Sequence, residues 1–285
     1  MEITILGAGV TTPTPTRFGS SHAVTVGGST LLFDCGPATT DRLVRAGIDP
    51  TDIDHLFFTH HHYDHDADYP CFVLCRWDMG AGRDRTLRVF GPQPTALITR
   101  RLFGPDGAFE FDLRARLNHP ASLRKYQNRG GVLPRLPPRM EVTDAVPGAV
   151  SAGDGWKVTA ASAAHAQPWL DSLAYRVDSS EGVVVITGDT EPCPSVVELA
   201  RGADVLVSMC QEEEEVMIAA GVAAGSSGPM RAAEMARDAQ VRKLVLVHVG
   251  ARLATHGPME KAIGDIRKIF SGEVIFGEEL LKVAV

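Results

Sequence analysis

Short apolar runs bounded by glycine, proline and small polar residues recur along the whole chain. "ITIL" runs into "GAGVTTPTPT"; "HAVTV", the pair Gly27-Gly28 and "STLLFDCG" follow, which predicts two strands joined as a hairpin. "PATTDRLVRAG" places Pro37 near a helix start and Gly47 at its end. "DIDHLFFTH" predicts a buried strand, and the helices "YPCFVLCRWDMG" and "QPTALITRRLFG" flank the short strand "LRVFG". Later strands are "WKVTAASAAH", "SLAYRVD", "GVVVITGD", "DVLVSM" and "KLVLVHVG", with helices at "SVVELARG", "MRAAEMARDA" and "MEKAIGDIRKIF" and short closing strands in "EVIFGEELLKVAV". Strands alternating with helices predict a layered α/β fold. Between about 104 and 140 the periodicity fails: the stretch is rich in Pro, Gly and Arg and has no sustained apolar face. It reads as an insertion or cap, at about 100–150, on one domain spanning 1–285.

Composition narrows the class. A chain of 285 residues with 44% hydrophobic and 22% charged positions can bury a sizeable core and fits a soluble globular enzyme. No segment approaches the roughly 20 apolar residues of a membrane span. The start "MEITILGAGV" lacks the basic segment of a signal peptide, so the expected location is cytoplasmic, with no membrane partner. Five cysteines, an odd number, argue against a disulfide framework; Cys71, Cys75, Cys193 and Cys210 read as small buried side chains. The net charge of -7 argues against a protein that coats nucleic acid. It is unevenly spread: residues 100–139 hold nine Arg/Lys against three acids, so +6 there leaves -13 elsewhere.

The chemistry concentrates in "FFTHHHYDH", Phe57 to His65. In the pattern His60-x-His62-x-Asp64-His65, alternate residues of an extended segment point the same way, so His60 and His62 can share a cation. Asp64 and His65, beyond the strand, can turn toward a second. His165, Asp189 and His248 each close an apolar strand, where open α/β sheets bind ligands. Imidazole and carboxylate donors without thiolate suit Zn, with Mn or Fe as alternatives, rather than a structural cysteine-rich site. His61 should project away from His60 and His62. His55 and His119 read as solvent-facing, while His22 and His256 are candidates to line a pocket.

This ordered set resembles the five-motif pattern of the metallo-β-lactamase superfamily. "GAGVTTPT", "SSHAV", "LLFDCG" and "VLVHV…GEELLKV" are similar to its ribonuclease Z-like branch. The resemblance covers nearly the whole chain except about 100–150. It implies a four-layer αβ/βα sandwich carrying two divalent metal ions. By the resemblance, His60, His62 and His165 hold one metal, Asp64, His65 and His248 the other, and Asp189 bridges both; Asp34 supports the site from behind. Two cations roughly 3.5–4 Å apart lower the pKa of a shared water toward about 7, which implies hydrolysis through a metal-bridging hydroxide. Asp64, beside the nucleophile, is positioned to accept or hand on its proton.

The bond cleaved is less constrained. Ribonuclease Z carries a Glu in a "HEAT" stretch and a His in a "GHST"-like stretch. The corresponding segments here, "SMCQEEEE" (Ser208–Glu215) and "GSSG" (Gly225–Gly228), have neither in register. Only 23 residues separate His165 from Asp189, too few for a tRNA-gripping arm. The expectation is therefore a hydrolase of a small molecule with an ester-type bond (phosphodiester, sulfate ester, carboxylic ester or lactone). Nucleic acid is disfavoured as a partner, and a homodimer is compatible. Two other readings stay open: an RNA endonuclease using the basic insertion, and a non-catalytic binding protein on a hydrolase fold.

Overall fold

A computed structural model of the chain describes residues 1–12, 14–83 and 85–285. The first sheet holds β1 (Glu2–Gly7), β2 (Ser21–Val26), β3 (Ser29–Phe33), β4 (Ile53–Phe57), β5 (Leu87–Gly91) and β6 (Met140–Asp144). The second holds β7 (Gly148–Gly153), β8 (Trp156–Ser162), β9 (Leu173–Ser179), β10 (Gly182–Ile186), β11 (Val205–Met209), β12 (Lys243–Val247) and β13 (Glu273–Phe276). The last strand, β14 (Lys282–Ala284), returns to the first sheet and pairs with β1. The helices are α1 (Thr39–Arg45), α2 (Tyr63–Asp66), α3 (Tyr69–Met79), α4 (Thr95–Phe103) and α5 (Glu110–Asn118). They continue with α6 (Pro120–Asn128), α7 (Pro194–Ala200), α8 (Glu214–Ala219), α9 (Pro229–Asp238) and α10 (Pro258–Ile266).

Side chains alternate across each strand, and this divides the core into layers. Leu31 and Phe33 of β3 join Tyr175, Val205 and Val207 of the second sheet in the apolar layer between the sheets. Leu32, facing the other way, packs with Leu43, Phe72 and Val73 beneath α1 and α3. Leu206 packs on Ala232, Ala236 and Ile266 of α9 and α10. Helix, sheet, sheet and helix follow in turn, which is the αβ/βα sandwich expected. The β2–β3 hairpin turns at Gly27 and Gly28, both at positive φ (54° and 73°), the geometry that a two-residue hairpin loop demands.

The aperiodic stretch differs from the expectation. It forms α5 and α6, and 140–153 forms the edge strands β6 and β7. α5 buries only Leu113 and α6 buries no residue, so neither helix has an apolar stripe to betray it. Polar contacts hold them instead. Asp78 of α3 receives Arg116, Arg129 and Arg135, and the Arg135 guanidinium lies 3.9 Å from the Trp77 ring centroid. No helix among the described residues is long and apolar enough to cross a membrane.

Candidate metal centre

Five chain segments leave the ends of strands and converge at one edge of the sandwich. Asp34 follows β3, His60–His65 follow β4, His165 follows β8, Asp189 follows β10 and His248 follows β12. The histidine run is not itself strand: β4 stops at Phe57, and residues 58–62 are irregular. Their path is set by Asp34, fully buried and held at φ 57°. Its carboxylate accepts the Thr59 amide (2.7 Å), the Thr59 hydroxyl (2.9 Å) and His65 Nδ1 (2.8 Å). His62 then precedes α2, whose single turn brings Asp64 and His65 back beneath the histidines.

These bonds determine which ring nitrogens are free. A carboxylate or carbonyl can only accept, so His65 donates from Nδ1 to Asp34, and His165 donates from Nδ1 to the Gly225 carbonyl (2.7 Å). The Thr59 hydroxyl, its proton committed to Asp34, accepts from His60 Nδ1 at 3.1 Å. The Nε2 atoms of all three rings are left without a proton and free to bind a cation, as outer partners of metal-binding histidines arrange.

Two clusters result. His62 Nδ1 lies 3.1 Å from both His60 Nε2 and His165 Nε2. Beside them, His248 Nε2 lies 3.2 Å from one oxygen each of Asp64 and Asp189, and His65 Nε2 lies 3.5 Å from Asp189. His60–His62–His165, His60–His65–Asp189 and Asp64–His65–His248 each bring their ligand atoms within 4.8 Å of one another. All seven residues named from the sequence are thus gathered at one place. Asp34 and Thr59 orient them, and His248, like Asp34, takes a left-handed backbone (φ 53°). Such strain persists where the surroundings over-determine it.

The electrostatics favour cations here. Burial lowers the pKa of His60 and His62, keeping their lone pairs open. Burial also opposes charge on His65 and His248, but the neighbouring carboxylates outweigh it and raise both. At Asp189 burial opposes ionisation, yet His248 and His65 hold its carboxyl well below the usual range. The buried carboxylates thus favour positive charge at this point, which a divalent cation would supply. Asp64 Oδ1, Asp189 Oδ1 and His65 Nε2 are buried with no hydrogen-bond partner. Leaving such atoms unpaired costs about 1–3 kcal/mol each, and a divalent cation would take them up. The oxygen and nitrogen donors fit Zn, Mn or Fe, whereas all five cysteines are free and none joins the groups.

His61 is turned away, as expected, but by the loop rather than by strand alternation: Nδ1 meets Asp66 at 3.1 Å and Nε2 meets the Thr95 hydroxyl at 2.7 Å. His61→Ala should therefore retain its metal within experimental error and lower the melting temperature by a few degrees, checked by metal analysis and calorimetry. Other histidines depart from expectation. His22 is buried on β2, its pKa lowered to about 3 by burial and then by His65 and His248, so it lines no open pocket. His55 packs edge-on against Trp156 at 5.0 Å instead of facing solvent. His119 is exposed, as expected, whereas His256, 94% exposed beside Glu260, lines no pocket wall among the described residues. Thr59 and Gly225 were not legible as site residues. The signal for Gly225 is its φ of 69° with the His165 backbone against it, where a β-carbon would collide.

The two segments that depart from the ribonuclease Z pattern meet each other here. Gln211 N donates to Ser227 O (2.9 Å), and Gly250 N donates to Gln211 O (2.8 Å), just past His248. Glu212 and Glu213 are tied to Arg252, and Glu213 also to Lys261.

Comparison with known proteins places this site in a lineage. The sequence profile of the beta-lactamase superfamily domain matches residues 29–249. A ribonuclease Z of Mycobacterium sp. (strain KMS) is 31% identical over 282 residues, covering 93% of this chain and 94% of that protein. The metallo-beta-lactamase fold protein YhfI from Bacillus subtilis superposes with a TM-score of 0.72 at 20% identity, over 99% of this chain and 98% of that one. The short form of human tRNase Z superposes with a TM-score of 0.67 at 21% identity, over 100% and 99%. The expectation of a small-molecule substrate with nucleic acid disfavoured is overturned by this full-length similarity to ribonuclease Z. That expectation rests on two short segments and a missing arm, whereas the similarity extends across the scaffold that shapes the whole site. By profile, relatives and site together, the chain belongs to the metallo-β-lactamase superfamily, in its ribonuclease Z-like branch, and is a metal-dependent hydrolase.

Proposed function

We propose that the chain is a binuclear, zinc-dependent endonuclease that hydrolyses phosphodiester bonds of RNA. The observation that carries this reading is the similarity to ribonuclease Z over 93% of the chain. On this reading His60, His62 and His165 hold one ion, Asp64, His65 and His248 hold the other, and Asp189 lies between. When bound, the ions supply Lewis acidity and a water acidic enough to attack at neutral pH. Asp64, beside the attacking water, takes its proton and hands it to the departing oxygen. That second duty matters because Ser208–Glu215 and Gly225–Gly228 lack the Glu and His of the ribonuclease Z pattern. The chain acts as one domain, with α5, α6 and the following loop as a basic cap.

Within that cap Asp78 neutralises Arg116, Arg129 and Arg135. Exposed Arg100, Arg101, Arg124 and Lys125 form no ion pair among the described residues and are the groups left for phosphates. Replacing these four by alanine should weaken RNA binding and flatten its dependence on log salt by about 0.7–0.9 per lost phosphate contact. An unchanged slope would remove the cap from the RNA path. The activity itself is tested by incubating zinc-loaded protein with labelled precursor tRNA and with unstructured RNA. Endonucleolytic products that vanish on chelation are expected; fully loaded protein that cuts neither RNA would end this reading.

A further inference from the structure

A cavity of about 490 Å³ opens beside His165, between the loop after β6 and the β8–β9 loop. Two of its wall segments run on to the metal centre: Ala163 and Ala164 precede His165, and Leu173 N donates to Thr59 O at 2.8 Å. Its polar lining has a definite sign. Asp144 and Asp171 contribute carboxylates, while no Arg, Lys or His takes part. A phosphate would be repelled there. The cavity suits an uncharged group that presents hydrogen-bond donors.

Three further features narrow the ligand. Ser172 lines the cavity, is 3% exposed, and its hydroxyl is buried without a partner. Out of solvent contact, that hydroxyl offers a ligand in the cavity no bond, so selectivity falls to the two carboxylates. Gln167 is already committed, accepting from His165 N (2.8 Å) and donating to Ala163 O (3.0 Å), so it braces the wall. In the same loop Trp169 stands 91% exposed, at a turn closed by its own amide on Ala166 O (3.0 Å). An indole left bare between the wall residues Gln167 and Asp171 offers a stacking surface that the described residues leave uncovered.

Resting on the RNA-cleaving reading above, we propose that this cavity is a nucleobase subsite. The base that flanks the scissile phosphate stacks on Trp169 and turns its amino edge to Asp171 and Asp144. Adenine and cytosine carry exocyclic amines that these carboxylates accept. Uracil has no exocyclic amine, and its single N–H donor is flanked by two carbonyl oxygens that the carboxylates repel, so the subsite discriminates against it. The backbone phosphate stays outside, toward the cations.

The test measures binding apart from turnover, by fluorescence anisotropy of labelled, cleavage-resistant phosphorothioate hexamers of rA, rC and rU on the zinc-loaded protein. The expected order is rA and rC tighter than rU. Trp169→Ala should weaken all three by about 5- to 150-fold, the range of a lost stacking contact, and Trp169→Phe should restore most of it. Asp171→Asn should abolish the preference over rU while leaving stacking intact. Both positions are exposed, and circular dichroism of each variant checks the fold. Indifference of affinity to Trp169→Ala, or a preference for rU, overturns the subsite even where RNA is cleaved. Wild-type protein that binds none of the hexamers and cuts no RNA overturns both readings together.

Discussion

Asp189→Ala is expected to lower the metal content of the purified protein from about two ions per chain to below about one, while His62→Ala leaves about one. The asymmetry comes from position. His62 belongs only to the cluster with His60 and His165, whereas Asp189 lies 3.2 Å from His248, 3.5 Å from His65 and 3.9 Å from His165. Its carboxylate reaches toward both clusters. Removing it also strips His65 and His248 of a buried counter-charge, at a cost of about 3–5 kcal/mol when one partner of such a pair is lost. Asp189→Asn, which keeps the volume, therefore separates loss of metal from loss of fold. Mass-spectrometric metal analysis alongside thermal unfolding reads both. If Asp189→Asn kept a full complement of ions, the assignment of Asp189 between the sites would be wrong.

Asp64→Asn should reduce the rate of RNA cleavage by about 10²- to 10⁴-fold, the usual scale of general acid–base catalysis, with RNA affinity changed only a few-fold. Asn preserves shape but cannot take up a proton. Asp64 also meets His248 at 3.2 Å, so part of the loss would come through the metal site, and the assay is run with excess zinc to separate the contributions. Single-turnover rates measure the effect directly. A decrease smaller than about tenfold at full metal occupancy would assign proton transfer elsewhere.

The route by which the seven residues come together was only partly written in local pattern. The residues His60, His62, Asp64 and His65 lie within six positions of one another, so their chemistry is visible without a fold. Their geometry is not that of a strand: β4 ends at Phe57, and Asp34 holds the run in place through Thr59. That role depends on β3 lying beside β4, a contact across some 25 residues that periodicity does not encode. The helices α5 and α6 escaped notice for a complementary reason. A helix that buries one residue or none has no apolar face, and its support comes from Asp78 and Trp77 on another helix.

The sequence by itself determined the donor types, the alternation of strands and helices, and the places where polar residues end apolar strands. These are properties of short segments, set by side-chain chemistry and by the periods of helix and strand. Tertiary structure alone decided that His165, Asp189 and His248 close on the His60–His65 run, which nitrogen of each ring is free, and that Gly225 and Thr59 orient them. It alone opened the acidic cavity beside His165 and left Trp169 bare in the loop that walls it. Those facts depend on which distant segments share an edge of the sandwich, and burial then selects among the hydrogen bonds each segment could make.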